Sequence, residues 1–193
     1  MLVRKSNLKL VESDNPILHS IPPHYNFEEN KDTTELFANL MFNRMQELGG
    51  IGLAANQVGV NTQFFTMGVD ILRIDVFNPK IISTSGEITT QEGCLTYPGV
   101  FLQLSRPLNI NVEFYNVKGQ LVNMNLTGLT ARVFLHEYDH LNGITFKEKV
   151  SALKWSLAQR KLNNYRNKLK TEIRQKYIVD TYKEMLNAST DTN

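Results

Sequence analysis

The sequence predicts an α+β fold, on three observations. A β-rich middle runs from about 62 to 126, an amphipathic helix precedes it, and helical periodicity returns after it and lasts almost to the C-terminus. At 193 residues the chain suits one substantial core, and 41% hydrophobic with 21% charged residues excludes a disordered or fibrous chain. We divide it into a main domain over 1–150 and a basic C-terminal helix with a short tail over 151–193, part of the same domain or appended to it.

Residues 1–31 read as an irregular arm broken by Pro16, Pro22 and Pro23. Asp32 is the expected cap of the first helix, with Glu35 completing a capping box. Leu36, Leu40, Met41 and Leu48 mark its apolar stripe, and Gly49-Gly50 its end. In the middle, 63–67, 75–77, 81–83 and 109–114 read as strands. Asn116-Val117-Lys118-Gly119 is a hairpin turn whose partner strand lies near 121–126. A second helix starts near Thr127–Thr130, passes through His140 and stops at Asn142-Gly143, and a third covers roughly 151–187.

The chemistry concentrates in three strings. His136-Glu137-Tyr138-Asp139-His140 places two imidazoles one helical turn apart, so both can face one metal ion, with Glu137 beside them as a general base. The third ligand is open between Cys94, the only cysteine, and the downstream carboxylates Glu148 and Glu172. One thiolate and two imidazoles leave a coordination position free, as a hydrolytic site needs. Gly50-Ile51-Gly52-Leu53-Ala54-Ala55-Asn56-Gln57 lets backbone approach a ligand and ends in an amide able to stabilise an oxyanion. It follows a helix rather than a strand and lacks the third glycine of a dinucleotide loop.

Together and in this order, residues 50–57, 92–96 and 135–140 resemble the peptide deformylase family. Its signatures are Gly-apolar-Gly-apolar-Ala-Ala-x-Gln, Glu-Gly-Cys-Leu-Ser and Gln-His-Glu-x-Asp-His. The resemblance covers about 5–150. It implies antiparallel sheets packed around a central metal-binding helix and removal of the formyl group from the N-terminal formylmethionine of nascent polypeptides. It implies Cys94, His136 and His140 as metal ligands and Glu137 as general base. Gln57 and the backbone of Leu95 would meet the oxyanion. Ile51, Leu129 and Val133 would lie at the methionine pocket, and backbone groups of Gly52, Glu92 and Gly93 would pair with the peptide. The implied cofactor is one divalent ion, Fe2+ first, with Zn2+, Ni2+ or Co2+ as substitutes. Thr96 stands in place of the usual serine and Leu135 in place of glutamine. The second change is expected to alter the support of His136 and lower efficiency. An HExxH metalloprotease, or another amidase with a different third ligand, is the alternative, and a binding protein with a structural metal is a third reading.

Arg106 and Asp139 are expected to pair behind the ligand helix. Between Lys147 and Lys176 ten basic residues face two glutamates, leaving a net +8 above a stripe of Leu153, Leu157, Leu162, Tyr165, Leu169 and Ile173. The segment reads as a solvated helix or a ribosome contact through RNA phosphates. The N-terminus lacks the apolar run of a secretory signal, no stretch is long enough to span a bilayer, and the expected location is the cytoplasm.

Overall fold

The computed structural model describes residues 8–69 and 72–190. The chain divides into two units, Met1–Val150 and Ser151–Asn193.

In the first unit, a single turn α1 (Phe27–Asn30) leads into α2 (Thr34–Glu47). Seven strands follow: β1 (Gly52–Ala54), β2 (Phe64–Val69), β3 (Leu72–Ser85), β4 (Ile88–Gly93), β5 (Phe101–Arg106), β6 (Asn109–Tyr115) and β7 (Leu121–Thr127). Helix α3 (Gly128–Leu141) closes the unit's regular structure. The strands form a five-stranded sheet of order β1-β2-β3-β6-β7 and a separate β4-β5 hairpin, with every pairing antiparallel. The α+β expectation therefore holds.

Helix α3 lies on the large sheet. Phe134 meets Phe65 edge-on at 5.0 Å between ring centres, and Ala131, Leu135 and Leu141 join Met67, Val76, Val112 and Phe114 in one core. The opposite side of α3 is left for polar residues. A second core joins α2 to β1, β2, β3 and the N-terminal arm through Phe37, Met41, Met45, Leu53, Phe64, Phe77 and Tyr25.

Several local expectations are corrected. The cap of α2 is Thr33 rather than Asp32, and it makes no side-chain cap bond. A turn upstream takes over instead, because the Thr33 and Thr34 hydroxyls both donate to the Asn30 carbonyl. The buried stripe is Thr34, Phe37, Ala38, Met41 and Met45, while Leu36 is half exposed, so the helix is rotated toward the aromatic cluster. The two short strands expected at 75–77 and 81–83 are one strand, β3, whose register shifts between Phe77 and Lys80 and again between Ile81 and Ser83. Pro79, which has no N–H to offer a ladder, lies in the first shift. Asn78 there takes φ 50° and bonds the Tyr25 backbone in both directions, at 2.7 and 3.0 Å.

In the second unit, α4 runs over Ala152–Thr190, close to the helix expected. Leu153, Leu157, Tyr165, Leu169 and Ile173 are exposed. No helix among the described residues is long and apolar enough to cross a membrane.

Candidate active site

The three strings meet in one cleft of about 500 Å3. Cys94 directly follows β4, while His136 and His140 lie one turn apart on α3, their rings 5.1 Å apart. The donor atoms of all three lie within 4.8 Å of one another, and Cys94 Sγ is 3.3 Å from His140 Nε2. A thiol and two imidazoles at this spacing form a cluster able to hold a divalent ion. Glu148 is engaged elsewhere: it accepts from the Thr145 N–H at 2.6 Å and pairs with His19 at 3.2 Å. Glu172 pairs with Lys168. Among the described residues, Cys94 is the one of these three candidates that clusters with both imidazoles.

Electrostatics fit the same reading. The Cys94 thiol is buried, which alone would raise its pKa. The two imidazoles overcome this and hold it well below the ordinary thiol range. Burial likewise disfavours charge on His136, but hydrogen bonding to Cys94 and Glu92 pushes it up to about 10. The thiolate thus faces a protonated His136 imidazole, and loading a metal must displace that proton.

Glu92 organises the ring beneath the ligands. Its carboxylate accepts from His136 Nδ1 at 3.0 Å, from Arg106 Nε and Nη2 at 2.6 and 2.9 Å, and from Arg132 Nη1 at 2.5 Å. Burial would raise its pKa; the bonds from His136 and Arg106 outweigh that and bring it to about 2. Arg106 also reaches Asp139 at 2.7 Å, so the expected ion pair is present, and Lys149 binds the other Asp139 oxygen at 2.9 Å. His136 is thus oriented by the side chain of Glu92, a residue for which the sequence reading had foreseen only a backbone role. Leu135 packs in the core, and its carbonyl accepts from Arg106. Asn56, buried, donates to the His140 carbonyl at 2.6 Å and ties the glycine string to the end of α3.

Gln57 is held in one orientation. Its Oε1 accepts from the Ala54 N–H at 2.9 Å, which turns the NH2 toward Thr96 Oγ1 at 3.1 Å and Cys94 Sγ at 3.6 Å. The Thr96 hydroxyl thus accepts a hydrogen bond from the Gln57 amide. Glu137 is buried, its Oε2 has no hydrogen-bond partner among the described residues, and burial pushes its pKa up against the pull of His136 and His140. Gly52 lies against it: a Cβ there would collide with the Glu137 carboxylate.

Ile51, Gly52, Glu92, Gly93, Leu95, Leu129 and Val133 all line the cleft, with Gln57, Cys94, His136 and Glu137. Ile51 and Leu129 are half exposed at its rim and Val133 is buried. Sequence reasoning missed Phe101, which is exposed and lies over Gly93, and Arg132. Arg132 was detectable in principle, since Leu129, Arg132, Val133 and His136 recur at helical spacing.

A family model described as polypeptide deformylase matches residues 7–155. The chain belongs to this family. It is 39% identical to a peptide deformylase of Thermotoga maritima over 142 residues, 72% of this chain and 84% of that protein. The solved T. maritima peptide deformylase superposes with a TM-score of 0.70 at 34% identity, covering 76% of this chain and 99% of that one. A Synechococcus elongatus peptide deformylase in complex with actinonin gives 0.74 at 31%, covering 84% and 92%. An Acinetobacter baumannii peptide deformylase with Met-Ala-Ser bound gives 0.72 at 27%, covering 76% and 100%. Family and geometry agree on a metal-dependent hydrolase.

Proposed function

We propose that the cleft hydrolyses the formyl group from N-formylmethionyl peptides, with Cys94, His136 and His140 as metal ligands and Glu137 as general base. The observation that carries this is the convergence of one thiol and two imidazoles beside a buried carboxylate in a family of deformylases. A divalent cation bound there supplies Lewis acidity, polarising the formyl carbonyl and lowering the pKa of the attacking water.

Glu137 takes the proton as water attacks the formyl carbon and returns it to the leaving amine. Its raised proton affinity suits both halves of that task. The Gln57 amide, already turned toward the ligands, donates to the developing oxyanion together with the Leu95 N–H. Ile51, Leu129 and Val133 receive the methionine side chain. Backbone groups of Gly52, Glu92 and Gly93, at the ends of β1 and β4, align the peptide as an added strand. The Met-Ala-Ser bound to the A. baumannii relative supports a peptide of that kind.

The resident ion is Fe2+, with Zn2+, Ni2+ or Co2+ as substitutes, in keeping with a mixed sulfur and nitrogen donor set. The catalytic domain spans 1–150 and acts in the cytoplasm. Helix α4 contacts the ribosome through RNA phosphates, a reading supported by its basic excess and its exposed apolar residues. Removing 151–193 should abolish co-sedimentation with ribosomes at low salt, and unchanged co-sedimentation overturns this part.

The activity is tested by formate release from formyl-Met-Ala-Ser by anaerobically prepared, Fe2+-loaded protein, beside acetyl-Met-Ala-Ser. Turnover of the formyl peptide alone is expected. Equal cleavage of both, or cleavage of an internal peptide bond, contradicts the proposal.

A further inference from the structure

The three ligands come from two elements with no local link. The helical period sets His136 against His140, but it says nothing of where Cys94, after β4, must stand relative to them. Arg132 spans that gap. It lies on the cleft side of α3, one turn before His136, and only 6% of it is exposed. Nη2 donates to the Ile88 carbonyl at 2.6 Å, and Nη1 donates to the Leu104 carbonyl at 3.1 Å and to Glu92 Oε1 at 2.5 Å.

Ile88 and Glu92 lie on β4 and Leu104 on β5, so one guanidinium holds both strands of the hairpin. Glu92 is two residues before Cys94 and also accepts from His136. Arg106, on β5, grips the same carboxylate and reaches the far end of α3 through Asp139 and the Leu135 carbonyl. Arg132 grips it from the helix.

We propose that Arg132 is a positioning residue of the metal centre: by clamping the β4-β5 hairpin and Glu92 to α3, it fixes Cys94 relative to His136 and His140. This rests on the ligand assignment made above. Burying a guanidinium is costly unless its donors are matched, and here three acceptors on the opposing hairpin match it. Only a planar fork meets carbonyls on both strands and a carboxylate at once; a lysine ammonium offers a single point of charge.

The test uses Co2+ as probe on the full-length chain. Arg132→Met, Arg132→Lys and the distant core variant Val112→Ala are compared with the parent. Co2+ affinity, the thiolate-to-cobalt absorption band and Tm are measured. The parent should bind one Co2+ with a thiolate band. Arg132→Met should bind it about 10- to 100-fold more weakly, with the band weakened or shifted. Arg132→Lys should fall between, and Val112→Ala should lower Tm with parental affinity and spectrum.

If Arg132→Met does not fold, Arg132→Lys decides, and weaker binding with an altered band sustains the proposal. Parental affinity and spectrum in the folded Arg132 variants overturn it, whatever their Tm. A parent without a thiolate band fails differently: it refutes the ligand assignment itself, and the positioning role with it.

Discussion

Gly52→Ala isolates the contact on which the proposed proton transfer depends. A Cβ built on Gly52 meets Glu137 not only at the carboxylate oxygen but also at Cδ, 2.8 Å, and Cγ, 2.9 Å. Ordinary carbon contacts begin near 3.4 Å, so the side chain must retreat by roughly half an ångström along most of its length, not merely swing its tip. Glu137 is buried, and β1 is fixed against β2 through the Gly52–Met67 pair, so neither partner yields freely. Overpacking of this kind costs about 1–3 kcal/mol of stability. A general base displaced toward 1 Å costs on the order of 100-fold in rate. The three atoms nearest to that Cβ all belong to Glu137, so the metal should stay. The assay is formate release from formyl-Met-Ala-Ser with metal content and Tm on the same samples. The variant should keep one metal per chain and lose about 100-fold in kcat. A kcat within twofold of the parent would refute the claim that Gly52 makes room for the base.

Three other outcomes are expected. Gln57→Ala should lower kcat by about 100- to 1,000-fold, the loss of one oxyanion donor, with metal content unchanged; steady-state kinetics decide it. Cys94→Ala should abolish stoichiometric metal binding and formate release together, as measured by metal analysis after anaerobic loading. In chelated protein, folding holds the Glu92 carboxyl at about 2 against its ordinary 4.5. Its contribution, about 3 kcal/mol, is complete above pH 4.5 and is lost as pH falls toward 2. The Tm of the parent should drop through that window, and Glu92→Gln should flatten this component.

The parts legible in the sequence are those encoded by short-range spacing. His136, Glu137 and His140 share one turn of helix, and the Asn116–Gly119 turn sets the β6-β7 register locally. Cys94 needed the company of the other two strings, since nothing near it marks a ligand. The unread parts are long-range. Glu92 finds His136 across 44 residues and Arg132 across 40, and no periodicity announces either bond. Strands β4 and β5 went unassigned: β4 is mostly polar, and the alternation of β5 ends on a buried arginine rather than an apolar residue. At the start of α2, Asp32 and Glu35 had the form of a capping box, but the Asn30 carbonyl had already drawn in the Thr33 and Thr34 hydroxyls. Leu135 shows the converse. Set against the family's glutamine, it was expected to alter the support of His136, and the contact that does orient that imidazole comes from Glu92 on β4.

The most direct measurement is kcat for formate release by Glu137→Gln, with metal content determined on the same sample. The substitution keeps the shape and removes the proton acceptor. One metal per chain and a rate about 100- to 10,000-fold below the parent are expected. A fully loaded variant that turns over at the parental rate would show that Glu137 is not the base.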